Sequence, residues 1–119
     1  MVKRRRRKSV RAKEHRVYCT YFPDNRYYIG YSCKPEKQWE KYFGSSKYVK
    51  ESTEELRKEL IVSYPERNKA KLQEMLFQLQ YREDPRCLND MIHVRLRLKF
   101  IKDFIPVDWE PKDYDSLLL

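Results

Sequence analysis

Two runs of β-branched and aromatic residues, held apart by a short turn sequence, constrain this chain most. Arg16-Val17-Tyr18-Cys19-Thr20-Tyr21 and Arg26-Tyr27-Tyr28-Ile29-Gly30-Tyr31 flank Phe22-Pro23-Asp24-Asn25. Branched and aromatic side chains suit a pleated, half-buried surface, and Pro-Asp-Asn supplies a turn, so residues 16–32 are predicted to form a β-hairpin. Tyr18 and Tyr28 should project near each other across the pair.

The rest of the chain reads around that hairpin. Pro35 suits the first turn of a short helix carrying Glu36 to Lys41, with Trp39 and Tyr42 on one face. Gly44-Ser45-Ser46-Lys47 breaks it. Ser52 and Glu55 have the spacing of a capping box, predicting another helical turn. Leu60-Ile61-Val62 reads as a buried third strand ended by Pro65. Leu72, Met75, Leu76 and Leu79 recur at helical spacing, predicting a helix over 66–82 that Asp84-Pro85 stops. Val94, Leu96, Leu98 and Phe100 alternate with Arg95, Arg97 and Lys99, predicting a strand with one basic face. That face is either solvated or turned toward DNA. The expected architecture is α/β: a small three-stranded antiparallel or mixed sheet flanked by helices, over residues 15–102.

Charge divides the chain further. Residues 1–16 hold nine Lys or Arg against Glu14 alone, which is eight of the net +9. Residues 1–14 have almost no apolar side chains and are expected to form a basic arm, disordered when free. Arg4, Arg5, Arg6, Arg7, Lys8 and Arg11 in that arm are candidate phosphate contacts, with Lys50, Arg95 and Arg97 from the domain. Asp103, Asp108, Glu110, Asp113 and Asp115 against Lys112 make residues 103–119 an expected acidic tail. Cys19, Cys33 and Cys87 are odd in number and widely spaced, which fits a reducing, cytoplasmic setting better than a disulfide scaffold. No apolar run approaches a membrane span, and the basic start is not followed by the apolar stretch of a secretory signal.

With these elements in place a resemblance emerges. Val17-Tyr18 and Tyr28-Ile29-Gly30, with their tyrosines ten residues apart, resemble the paired signatures of the GIY-YIG endonuclease family. Residues 35–42 resemble its first helix, and Tyr42-Phe43-Gly44-Ser45-Ser46-Lys47 looks like a segment of its phage-type and homing members. The likeness covers roughly residues 16–90. It implies a Mg²⁺- or Mn²⁺-dependent endonuclease or nickase acting on double-stranded DNA, as monomer or dimer. Glu74 stands where the family keeps its metal ligand, and Asn89 where it keeps an Asn. Tyr18 is implied as general base or water-positioner, Tyr28 as its partner at the phosphate, and Tyr42 as the residue one helical turn on. Two departures stand out. Arg16 replaces the first Gly of the first signature, and Gln38 replaces the first-helix Arg. A neutral amide cannot stabilise phosphate charge as a guanidinium does, so Lys47, or else Lys50, is expected to supply the missing cation.

The residue types carry the same chemistry independently. One carboxylate suffices to hold a Mg²⁺ ion that keeps most of its waters. Such an ion relieves phosphate charge and stabilises the leaving oxygen. Two other functions fit the composition: a DNA-binding regulatory module of the same fold without activity, and a small basic RNA-binding protein. The near-neutral balance of residues 17–119 weighs against the second.

Overall fold

The hairpin forms where its sequence predicts. In the computed structural model, which describes residues 14–92 and 95–117, β1 (His15–Tyr21) and β2 (Tyr27–Ser32) pair antiparallel, with Tyr18 opposite Gly30 and Thr20 opposite Tyr28. Asn25 closes the turn at φ 72°, a left-handed conformation Asn tolerates. The arm residues Arg4, Arg5, Arg6, Arg7, Lys8 and Arg11, and Val94, lie outside the described residues.

β3 (Arg57–Tyr64) adds antiparallel to the other side of β1, giving the order β2-β1-β3. A register shift between Val17 and Tyr18 twists this pairing. β3 is longer and less buried than Leu60-Ile61-Val62 alone implies: it is an edge strand, and Leu60 is exposed. The predicted helical turn at Ser52–Glu55 is absent. Ser52 Oγ accepts only from Glu54 N, while Ser46 caps the short α2 (Lys47–Lys50) through Tyr48 N and Val49 N. α1 (Glu36–Trp39) follows Pro35 as expected.

Alternation along the strands gives the sheet two different faces. Val17, Cys19, Tyr21, Tyr27 and Ile29 form the main core with Ala70 and Phe77 of α3 (Arg67–Gln80). The buried side of α3 is not its leucine stripe. It is Ala70, Gln73, Glu74, Phe77 and Gln78, whereas Leu79 is exposed. Trp109 and Tyr114 complete this core, so the acidic segment from residue 103 is part of the packed body and not a tail beyond residue 102. Arg57 fastens it, donating to Tyr114 O and Leu117 O at 2.9 Å each.

The other face carries Tyr18, Thr20, Tyr28 and Gly30. Trp39 and Tyr42 pack edge-on against Tyr18, at 5.3 and 6.0 Å between ring centroids. Lys58 of β3 crosses beneath them and donates to the Trp39 and Tyr42 carbonyls, closing the end of α1.

The outer edge of β2 is covered by residues 86–89. Tyr27 N donates to Arg86 O and Leu88 N to Tyr27 O, and Asn89 then replaces main chain with side chain. Its Oδ1 accepts from Ile29 N and its Nδ2 donates to Ile29 O, each at 2.8 Å. The predicted strand over 94–100 is absent among the described residues. Residues 95–97 have no regular structure, and Leu98–Phe100 form a 3₁₀ turn with Leu98 and Phe100 exposed. Two-residue alternation makes a strand only beside a partner, and residues 86–89 already occupy the β2 edge. Among the described residues no helix is long and apolar enough to cross a membrane.

Candidate functional site

A cavity of about 550 Å³ opens beside β2, where α3 meets the α1–α2 segment. Tyr18, Tyr28, Tyr42, Lys47, Glu74 and Asn89 all line it. Six positions spread over seventy-two residues of sequence thus converge on one space. Lys50, Arg95 and Arg97 do not line it; they are exposed elsewhere on the surface.

Close approach around Tyr18 depends on the chain's two glycines. A Cβ at Gly30 would lie 2.5 Å from Cζ and Oη of the Tyr18 ring, so the phenol crosses β2 directly over the Gly30 backbone. Gly44 sits at φ +136°, and a Cβ there would come 3.1 Å from the Tyr28 ring and 3.3 Å from Tyr18 Oη. Both glycines therefore make room for the two tyrosines facing the cavity.

Glu74 is the cavity's buried carboxylate. Lys71 Nζ lies 2.9 Å from its Oε1, and Gln78 Nε2 donates to its Oε2 at 3.2 Å. Gln78 also donates to Ile29 O, tying the carboxylate to β2. Burial pushes the Glu74 carboxyl above its ordinary range, and Lys71 and Gln78 pull it partly back. Burial likewise pushes Tyr28 up to about 12, with the Glu74 charge adding to the effect. Tyr18 is raised further, by desolvation first and then by Tyr42, Tyr28 and Glu74, so its phenol is neutral at physiological pH.

Asn89 bonds Ile29 with both ends of its amide and so fixes the wall of the cavity. Lys47 is exposed at the rim, its Nζ 5.3 Å from the Tyr48 ring centroid. Gln38 is exposed and does not line the cavity. Lys71, Gln78 and Tyr31, which do line it, were missed. A spacing signal was present for two of them. Lys71 and Gln78 are three residues before and four after Glu74, on the same helical face.

Among the described residues no group of three or more His, Cys, Asp or Glu forms a metal cage. The oxygen-bearing side chains on the lining are the buried carboxylate of Glu74, which also meets Lys71 and Gln78, the tyrosine phenols and Asp90. Hard oxygen donors of that number fit a Mg²⁺ ion that keeps most of its waters. No family model, curated protein or solved structure matches this chain.

Proposed function

We propose that this chain hydrolyses a phosphodiester bond of double-stranded DNA, nicking one strand per event, in the manner of the GIY-YIG endonucleases that its hairpin resembles. The observation behind this reading is the convergence of Tyr18, Tyr28, Tyr42 and Glu74 on one cavity with Lys47 at its rim. In the reaction a water oxygen bonds to phosphorus and one P–O ester bond breaks. The water gives up a proton and the leaving oxygen gains one.

Glu74 is the residue that would hold a hydrated Mg²⁺ or Mn²⁺ ion, which supplies charge relief on the phosphate and stabilises the leaving oxygen. Tyr18, neutral and fixed by Trp39, Tyr42 and Gly30, orients the attacking water through its hydroxyl. Tyr28 donates its phenolic proton in a hydrogen bond to a phosphate oxygen, a role that a raised pKa preserves across the physiological range. Lys47 meets the incoming backbone, and the basic arm extends the contact along the duplex.

A supercoiled-plasmid assay with Mg²⁺ or Mn²⁺ tests this. Conversion to open circle by the wild-type chain, lost in Glu74→Gln with DNA binding retained, supports nicking. No conversion with any divalent ion on DNA bearing a bound target overturns it. The shielded Glu74–Lys71 ion pair and the neutral Tyr18 also suit a second reading, a DNA-binding module without activity. Under that reading Glu74→Ala leaves the biological effect intact.

A further inference from the structure

We infer that Lys71 is the phosphate-binding cation of this site, supplying from α3 the positive charge that Gln38 cannot supply from α1; the inference rests on the nuclease reading for its catalytic consequence. Three observations carry it. First, Lys71 lines the same cavity as Tyr18, Tyr28 and Glu74, whereas Gln38 is outside it. Second, the Lys71 side chain is 15% exposed and its partner Glu74 10%, so its charge acts with little water between it and a ligand. Lys47 and Lys50 are exposed, and water screens them. Third, the head group is held in place: Nζ is 2.9 Å from Glu74 Oε1 and 4.9 Å from the Tyr31 ring centroid. The Tyr31 hydroxyl is in turn hydrogen bonded to His15 Nδ1 at 2.6 Å, anchoring the ring beneath the lysine.

An ammonium has three N–H donors, and the Glu74 contact uses one. Lys71 therefore binds a phosphate oxygen without releasing Glu74. It bridges the carboxylate and the scissile phosphate, and it neutralises part of the charge that grows on the phosphate oxygens as the P–O bond breaks. The pairing also lowers the repulsion between a buried carboxylate and a polyanionic substrate in one cavity.

The experiment compares full-length wild type with Lys71→Met and Lys71→Arg in two measurements. In single-turnover nicking, Lys71→Met should lose 10²- to 10³-fold in rate, the range seen for removal of one preorganised oxyanion donor. Its DNA affinity should fall far less than its rate, because the proposed arm contacts remain. Lys71→Arg, which keeps the charge, should recover most of the rate. In thermal melts without metal, thymidine 3′,5′-bisphosphate should raise the melting temperature of wild type and of Lys71→Arg, and leave Lys71→Met unmoved. Nicking by Lys71→Met within threefold of wild type overturns the catalytic role while the nuclease reading stands. If wild type does not nick yet the bisphosphate shift still requires Lys71, the nuclease reading falls and the phosphate site stands. An equal shift in wild type and Lys71→Met overturns the site itself.

Discussion

Replacing Gly30 by alanine tests the packing that places Tyr18. A Cβ at position 30 meets the Tyr18 ring at 2.5 Å, where carbon atoms prefer about 3.5–4.0 Å, so something must move by roughly 1 Å. The ring can yield only toward the cavity: Tyr18 is 1% exposed, with Trp39 and Tyr42 packed on it. Overpacking of this kind costs about 1–3 kcal/mol, and the rigid surroundings place Gly30→Ala in the upper half. Gly30 is not in the left-handed region, so alanine also gains about 0.4–1 kcal/mol by restricting the unfolded chain. The net loss is about 2 kcal/mol, or roughly 8 °C in melting temperature for a domain of this size. Urea titration reads this as a lower midpoint at unchanged slope. Tyr18→Ala supplies the control. With the ring gone the same substitution should become neutral or stabilising, so the two changes couple by about 2–3 kcal/mol. A Gly30→Ala protein within about 0.5 kcal/mol of wild type, or an equal cost in both backgrounds, refutes the close approach of Tyr18 to β2.

Trp109→Ala should cost about 3–5 kcal/mol, because the indole packs against Phe77, Tyr27 and Tyr81; a chain ending at residue 102 should show no cooperative urea transition, and a sharp one would detach residues 103–117 from the core. Asn89→Ala should leave Ile29 N–H without its 2.8 Å partner, while Ile29 O keeps Gln78, costing about 1–3 kcal/mol and speeding hydrogen exchange at the Ile29 amide; unchanged exchange there counts against Asn89 as the closure of the β2 edge. Burial pushes Tyr18, Tyr21, Tyr27, Tyr28, Tyr31 and Tyr64 above the ordinary phenol value. Groups raised in the folded state contribute stability that is complete below their unfolded pKa of about 10 and is lost as pH rises beyond it. Absorbance at 295 nm should therefore show these tyrosines ionising together with alkaline unfolding; independent titration near pH 10 with the fold intact would contradict their burial.

What the sequence disclosed follows from how local each signal is. The hairpin and α3 were legible almost to the residue, because strand alternation, Pro-Asp-Asn chemistry and helical spacing act over a few neighbours. The buried face of α3 was not. Apolar spacing points to Leu72, Leu76 and Leu79, but Gln73 and Gln78 turn inward to serve distant main chain. Gln73 Oε1 accepts from Val107 N, and Gln78 Nε2 donates to Ile29 O. A periodicity count cannot weigh such bonds. The acidic residues after 103 likewise concealed Trp109 and Tyr114, since the charges stay in water while the aromatic rings go inside. At the site, resemblance picked out the tyrosines and Glu74, whereas Lys71 needed only the three-residue spacing from Glu74 that was already in view.

Where the local rules of stability are broken is itself informative. Gly30 interrupts a strand, at roughly 0.5–1 kcal/mol relative to alanine in a relaxed setting. Gly44 holds the backbone at φ +136°. Glu74 brings a carboxylate into a buried helical face, where desolvation disfavours its charge. The Tyr18 phenol is 1% exposed, and burial together with the neighbouring Tyr42 and Tyr28 phenols disfavours its ionised form. Each departure is of a kind a sequence shaped by stability alone would avoid; Tyr18 and Glu74 line one cavity, and both glycines lie against the Tyr18 phenol that faces it. An incidental crevice between packed elements would be lined by whatever the neighbouring elements left exposed. This one has its wall fixed by both ends of the Asn89 amide, its carboxylate held by Lys71 and Gln78, and both of the chain's glycines placed to let two tyrosines reach it. Concentration of such departures in one place is the pattern expected where function, not stability, sets the residue.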